Sequence, residues 1–163
     1  MAINNKTYNN LIMTLKELGS KHLQISTTTT GDIYDIDLDN TKYPLMHINP
    51  VNVTTRRTEL VYNFQVFVMD LVDDDNANEQ DVYSDVLQTC IDIIAILSNS
   101  QWQSQLTLDL DAPVYFAEGN FTLEPFTERF NNAVSGWVFQ LPITVQNDFQ
   151  SCNIPMEKTY IGQ

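Results

Sequence analysis

Alternating apolar and polar positions mark one long strand in the middle of the chain, at residues 59–72. One of its faces carries only apolar side chains and the other is mixed, which is the period-two pattern of a strand with one face on a core. The apolar face holds Leu60, Tyr62, Phe64, Val66 and Val68, and the mixed face holds Val61, Asn63, Gln65, Phe67 and Met69. We therefore predict a strand that is buried on one face and partly covered on the other.

An amphipathic helix is predicted after this strand, from Glu79 to about Ser98. Glu79 and Asp81 in its first turn complement the positive end of the helix dipole, and Asp75, Asn76 or Asn78 could cap it. Apolar side chains recur at helical spacing and predict the buried stripe. They are Tyr83, Val86, Leu87, Cys90, Ile93, Ile94 and Leu97.

Four further elements are predicted around this pair. A first helix is capped by Asn4 or Asn5 and ends at Gly19, the residue type that favours a left-handed C-terminal cap. A short strand at 43–50 is bracketed by two prolines, which belong at strand ends or on an edge because proline has no N–H. Two closing strands, 119–130 and 134–146, form a hairpin, and Pro142 places the second at an edge or a bulge.

Residues 22–42 are open to two interpretations. His22–Ser26 and Ile33–Leu38 are β-prone, and Thr27–Asp32 between them has the composition of a loop tip. The segment is therefore expected to be a protruding hairpin or a mobile loop.

Together these elements predict an α+β fold in a single domain, residues 1–147. An antiparallel sheet of about four strands is expected, with two helices packed on one face, plus a protruding hairpin or loop. Residues 148–163 have no periodicity and are predicted to be an extended C-terminal arm. The expected core contains Phe64, Val66, Ile94, Trp137 and Phe139.

The chain is strongly acidic, with a net charge of −13 from eight Lys and Arg against 21 Asp and Glu. No Lys or Arg occurs between Arg57 and Arg129, whereas most of the acids do. Because duplex affinity comes largely from cation contacts to phosphates, this composition disfavours direct nucleic-acid binding. It is compatible with a negative wall past which DNA slides, and a solvated acidic face is the simpler alternative.

No catalytic motif is present. His22 and His47 lie in no recognisable nucleophile signature, and no phosphate-binding glycine loop occurs. His47, inside a short strand, is predicted to be structural. Cys90 and Cys152 give neither a disulfide framework nor a metal-binding spacing, and Cys90 is expected to be buried and inert. The chain is therefore predicted to be neither an enzyme nor a cofactor-binding protein.

Two acidic segments invite a metal assignment. Asp35, Asp37 and Asp39 have the spacing of a calcium loop, but Asn40 stands where that loop needs glycine. Strand alternation would place the three carboxylates on one solvated side. The second segment, Asp73–Glu79, lacks the calcium-loop pattern and suits a surface linker. No metal site is predicted at either place.

The N-terminus is polar, and no apolar run approaches the length that spans a membrane. A cytoplasmic origin is expected, without a membrane partner.

The order of elements resembles the tail terminator and head-to-tail connector proteins of tailed bacteriophages, the fold of the lambdoid minor tail protein family. The resemblance is carried by the strand ending at Val66–Val72, the helix through Tyr83–Leu87 and Ile91–Leu97, and the closing strand Gly136–Val145. It covers roughly residues 4–147. The family's last strand returns beside the long one.

The resemblance implies a structural virion protein, assembled in the host cytoplasm, that forms a homo-oligomeric ring of six or twelve copies. The ring would lie between portal and tail or cap the tail tube, in contact with portal, neck or tail tube proteins. DNA would pass through its lumen without specific binding. The alternative is a small acidic cytoplasmic protein-binding adaptor that acts as a monomer or dimer.

Two segments are candidates for the subunit interface. The predicted arm carries isolated apolar residues, which gain little by folding back alone but can order against a neighbour. The acidic segment and residues 27–32 are expected at ring surfaces. The candidate interface residues are Phe149, Ile154, Tyr160, Asp73, Asp74 and Asp75.

Overall fold

The computed structural model of the chain describes residues 7–37, 40–98, 115, 117, 119–129 and 133–146. They form an α+β fold, which confirms the predicted class. The elements are α1 (Thr7–Lys21), β1 (Thr27–Thr30), a 3₁₀ turn (Ile33–Asp35), β2 (Leu45–Arg56), β3 (Glu59–Leu71), α2 (Glu79–Leu97), β4 (Leu123–Arg129) and β5 (Ala133–Gln146).

The strands form a five-stranded sheet in the order β1-β2-β3-β5-β4. β1 pairs parallel to β2, and the other neighbours are antiparallel. The predicted antiparallel sheet of about four strands therefore matches only roughly, because the sheet has a fifth strand and that strand pairs in parallel.

The additional strand is the segment that was expected to be a loop tip. β1 pairs in register from Thr27 opposite Leu45 to Thr30 opposite Ile48. Its four threonines are β-branched and fit a pleated strand, and this preference prevails over their polarity. The described residues of this segment form no hairpin, because His22–Ser26 precedes the strand and residues 33–35 form the 3₁₀ turn.

β2 and β3 form a long hairpin that turns at Arg57 and Thr58, with Arg56 opposite Glu59. β2 starts just after Pro44, as predicted, but it runs through Pro50 and is much longer than expected. The pairing register shifts between Pro50 and Asn52. A bulge at this point accommodates a residue that has no N–H for the ladder.

β3 is the central strand, and β5 pairs along its whole length from Glu59 opposite Gln146 to Leu71 opposite Val134. The predicted apolar face of β3 meets the main core, which also includes buried residues of α1 and α2. The prediction that both helices pack on one face of the sheet is confirmed. Phe64, Val66 and Phe139 are buried as expected, whereas Ile94 and Trp137 are only partly buried against this core.

Pro142 lies where β5 has a neighbouring strand on one side, a position that suits its missing N–H. β5 pairs with both β3 and β4, but the pairing with β4 reaches only to Phe139. Pro142 lies opposite Asn63 of β3, beyond that end of β4, so among the described residues β5 is an edge strand at this point.

The first helix differs from the prediction at its end. α1 continues through Gly19 to Lys21, so Gly19 is not a C-terminal cap. A Cβ atom at Gly19 would lie 2.4 Å from the Thr28 Oγ1 atom of β1. Glycine is needed here for the close approach of helix and strand.

The second helix spans Glu79–Leu97, which confirms the prediction, but its buried stripe is rotated. Tyr83, Leu87 and Ile94 lie at the edge of the stripe and are half-buried. The fully buried positions are Val82, Val86, Thr89, Cys90, Ile93 and Leu97.

The mixed face of the sheet carries a smaller apolar cluster around Leu45, Met69 and Val134. Ile36 and Tyr43, from the connection that leads into β2, pack against it. The prediction that this face is partly covered is confirmed.

Candidate functional site

The acidic turn, Asp73–Asn78, joins β3 to α2 and is closed by its own hydrogen bonds. The Asp73 N–H donates to Asn78 Oδ1 at 2.8 Å, and the Asn76 N–H donates to the Asp73 carbonyl at 2.8 Å. The Ala77 N–H donates to Asp75 Oδ1 at 3.0 Å. Asn76 has a φ of 58°, a left-handed conformation that asparagine tolerates better than most residues. The segment is therefore a defined turn.

Because of these bonds, the N-terminus of α2 is capped differently from the prediction. Asn78 is the N-cap residue, but its side chain makes no capping bond to the first turn of the helix. Its oxygen is used by Asp73, and the Asp75 carboxylate is used by Ala77. The polar side chains hold the turn itself, and backbone carbonyls of Asn76 and Asn78 accept the N–H groups of Glu79 and Val82.

The acidic turn lies at a strongly negative end of the domain. Asp73, Asp74 and Asp75 are all exposed, as a surface position requires. Burial raises the pKa of nearby Asp70; the Leu71 N–H opposes this shift, and the negative charge of Asp85 adds to it. Three of the six predicted interface residues are thus brought together on one exposed turn.

The opposite end of β3 carries the opposite charge. Arg56 and Arg57 lie at the tip of the β2–β3 hairpin, and both are exposed. The Arg56 guanidinium lies 4.0 Å from the Glu59 carboxylate, a loose contact across the turn. Since a strand rises about 3.3 Å per residue, β3 separates the cationic tip from the acidic turn by about 40 Å.

His47 lies inside the sheet, with 2% of its surface exposed. Its Nε2 atom is 2.9 Å from the Gly31 carbonyl and its Nδ1 atom is 2.7 Å from Thr29 Oγ1. The carbonyl can only accept, so Nε2–H donates to it and Nδ1 accepts from the threonine hydroxyl. His47 thus ties β2 to β1 and the turn after it, which confirms its predicted structural role.

Protonation of His47 should make the unfolding free energy depend on pH. Desolvation by burial lowers the pKa of His47 below its ordinary 6.5, although Gly31, Asp32 and Asp35 oppose the shift. As pH falls through 6.5 the unfolded chain takes up a proton that the folded chain resists, so stability is lost below that pH. We expect wild-type unfolding free energy, measured by urea denaturation, to fall from about pH 7.5 to about pH 5.5 more steeply than that of His47→Gln. Equal slopes would contradict a neutral, buried His47.

His22 is paired with Asp92 of α2, an arrangement that the sequence did not reveal. His22 Nε2 lies 2.9 Å from Asp92 Oδ2, and His22 Nδ1 accepts the Gln24 N–H at 3.2 Å. The other oxygen of Asp92 accepts the Gln88 side-chain amide at 3.0 Å. Both ring nitrogens are therefore occupied in fixing the chain after α1 against α2. The partners are 70 positions apart, and no local pattern signals such a pair.

An open groove of about 400 Å³ borders this pair. It is lined by the end of α1, the loop after it and one side of α2, and Leu23 at its rim is fully exposed. The lining is mostly apolar side chains and amides, and His22 is engaged as described. The groove presents a surface for contact, without a nucleophile and base aligned on each other.

Cys90 is fully buried on α2, as predicted. Burial raises the pKa of its thiol to about 12. Because the thiolate is the reactive form, this thiol is inert near neutral pH. Cys152 lies outside the described residues.

The described part of the acidic segment, residues 35–37, is not in a strand, so the strand alternation predicted for Asp35 and Asp37 is wrong. Asp35 ends the 3₁₀ turn and Asp37 lies in the following loop, both exposed, whereas Asp39 lies outside the described residues. The Asp37 carboxylate accepts the backbone N–H and the side-chain amide of Asn40. Within the described ranges, no group of three or more His, Cys, Asp or Glu side chains could hold a metal ion.

Phe149, Ile154 and Tyr160 lie outside the described residues, so the predicted arm and its boundary with the domain stay predictions. No helix in the described part of the chain is long and apolar enough to cross a membrane.

No protein-family model matches the chain, and no curated protein matches it significantly. Function therefore has to be argued from the residues and their arrangement.

Proposed function

We propose that this protein is a structural subunit of a tailed-phage virion. It would form a homo-oligomeric ring in the head-to-tail connector or the tail terminator, through which DNA passes, and it would catalyse no reaction. The observation that carries the proposal is the placement of β5. The last strand returns along the full length of β3, and α2, which follows β3 in the chain, packs on the same two strands.

Specific contacts hold this arrangement together. The Trp137 indole N–H of β5 donates to the Tyr83 carbonyl of α2 at 2.8 Å, and the two rings meet edge to face with centroids 5.8 Å apart. The Tyr83 hydroxyl lies 2.8 Å from Thr127 Oγ1 of β4. Helix α2 is thus anchored across both closing strands. The resemblance noted from the sequence implies the same order, a helix after the long strand and a last strand beside it.

The use of the reactive side chains also supports a structural role. His47 and His22 each have both ring nitrogens hydrogen-bonded within the fold, and Cys90 is a buried thiol. These are the residue types that most often act as bases and nucleophiles. In this chain they serve packing.

The charge of the chain suits a passage for DNA. An acidic wall has few cations to exchange for counterions on the phosphates, so it does not retain a duplex that must leave quickly. The net charge of −13 is compatible with such a wall.

A second candidate function is a small acidic adaptor that binds proteins as a monomer or dimer. The observation that favours it is the fully exposed Leu23 beside the groove between α1 and α2. An exposed apolar side chain at the rim of a groove suits the binding of another protein.

Assembly state separates the two candidates. We expect sedimentation velocity over a wide concentration range, with electron microscopy of the same samples, to show rings of six or twelve subunits. Since such a ring can require its neighbour as a template, the measurement is repeated after co-expression with the proteins encoded by the adjacent genes. A monomer or dimer under every one of these conditions would favour the adaptor.

Deletion of residues 148–163 tests the predicted arm. We expect the truncated protein to keep the circular dichroism and melting temperature of the full chain, because an aperiodic segment with isolated apolar residues gains little by folding back on the domain. Ring assembly, or incorporation into particles, should be lost, because isolated apolar residues on an extended segment order against a neighbour. Normal assembly of the truncated protein, or its unfolding, would remove the arm hypothesis.

A further inference from the structure

We infer that copies of this chain contact each other end to end, with the β2–β3 hairpin tip of one copy seated on the acidic turn of the next. This inference rests on the proposed function, because it names the contact by which the ring would form.

The hairpin end of the domain is an exposed edge that carries cations. β1 pairs only with Leu45–Ile48 of β2, so the outer half of β2 has no strand beside it on that edge among the described residues. Every residue from Pro50 to Arg57 is exposed, including Val51 at 50% and Val53 at 49%. The end thus combines apolar side chains, an open strand edge and two adjacent arginines.

The other end of β3 has the complementary character. Leu71, the last residue of the strand, is 45% exposed. It leads directly into the acidic turn, where Asp73, Asp74 and Asp75 are exposed and held in place by the hydrogen bonds of that turn. Each end therefore presents exposed apolar surface next to charges, and the charges of the two ends have opposite signs.

The charge of the chain indicates that a second copy occupies this contact. Copies that each carry −13 repel one another, so the favourable contacts between them are those that bring their few cations onto acidic surface. Arg56 and Arg57 are two of only eight Lys and Arg in the chain, and they are adjacent at an exposed tip. A second copy of this chain supplies the matching acids.

The direction of the contact follows from the length of β3. Because about 40 Å separates the tip from the acidic turn, the tip of one copy cannot contact the acidic turn of the same copy. The contact joins two different surfaces, so it is heterologous, and repetition of a heterologous contact generates a ring when the rotation closes.

Charge reversal tests the contact. We expect Arg57→Glu alone and Asp74→Arg alone each to raise the concentration needed for half-assembly by roughly tenfold or more, because each places like charges together at every interface. An equimolar mixture of the two variants should assemble nearly as the wild type does. In alternating order, the reversed tip of the first variant meets the reversed turn of the second. The unchanged tip of the second variant then meets the unchanged turn of the first.

Controls separate this contact from general charge effects and from the proposed function. Lys16→Glu changes the net charge as Arg57→Glu does, at an exposed position on α1, and should assemble as the wild type does. Circular dichroism checks that each variant folds. If either single variant assembles at the wild-type concentration, or if the mixture does not assemble, the end-to-end contact is overturned. Neither result contradicts the proposed ring. A wild type that never assembles, even with its neighbouring structural proteins, overturns both.

Discussion

The Gly136→Ala variant should lose about 3 kcal/mol of unfolding free energy. A Cβ atom at Gly136 of β5 would lie 1.9 Å from the Val68 carbonyl oxygen and 2.8 Å from the Met69 Cα atom. Both belong to the backbone of β3, which cannot rotate aside as a flexible side chain would. The methyl group therefore forces apart the two central strands, which pair over their whole length. Urea denaturation at neutral pH measures the loss.

Gln140→Ala is the matched control for this prediction. It lies on the same strand, opposite Gln65, and its side chain is exposed. Its unfolding free energy should change by about 0.5 kcal/mol or less. A Gly136→Ala variant as stable as this control would show that β3 and β5 do not approach as closely as described.

The second large effect is expected at Ile93 on α2. Ile93 has no exposed surface, so its replacement by alanine should cost about 2–5 kcal/mol through lost apolar burial and the cavity left behind. Ile94 is half-buried at the edge of the same stripe, and its replacement by alanine should cost clearly less. The two neighbours have the same side chain and the same helical environment, so the pair controls for helix propensity.

Comparing the losses of unfolding free energy in Ile93→Ala and Ile94→Ala shows which face of α2 packs on the sheet. Urea denaturation of both variants measures these losses. A greater loss for Ile94→Ala than for Ile93→Ala would contradict the rotation of the helix in the structure.

Elements with strong internal periodicity could be predicted from the sequence. β3 and α2 start within one residue of the predicted positions, because each pattern repeats over more than ten residues and is interrupted by clear polar segments. The rotation of the α2 stripe could not be predicted in the same way. It depends on where β3 and β5 lie beneath the helix, and a helical pattern with Ile at both 93 and 94 fits either orientation.

Segments whose structure depends on distant partners were predicted wrongly. Thr27–Thr30 has loop-like polarity, and it becomes a strand because β2 offers a parallel edge and His47 bonds to Thr29 across it. Gly19 has the composition of a helix end, but the close passage of Thr28 explains it instead. Local sequence contains no record of such neighbours.

The candidate site could be predicted only in part. Exposure of the acidic turn follows from its charge, and Asp73–Asp75 are exposed. The cationic hairpin tip was missed, because Arg56 and Arg57 gain meaning only when β2 extends past Pro50 to a turn at the far end of β3. The signal that could have found it is the pair of adjacent arginines just before a long stretch without cations.

The pairing of β3 with β5 also has a consequence for biosynthesis. Glu59 contacts Gln146, which the ribosome adds 87 positions later, and at roughly 5–20 residues per second this takes seconds. During that interval a nascent chain can build α1, the β2–β3 hairpin and α2, while one edge of β3 still lacks its partner strand β5. The pairing of β3 with β5 therefore forms only after β5 has been synthesised. Until then the growing polypeptide exposes the unpaired edge of β3. Chaperone binding or expression at low temperature should therefore affect how much of the protein reaches the native state.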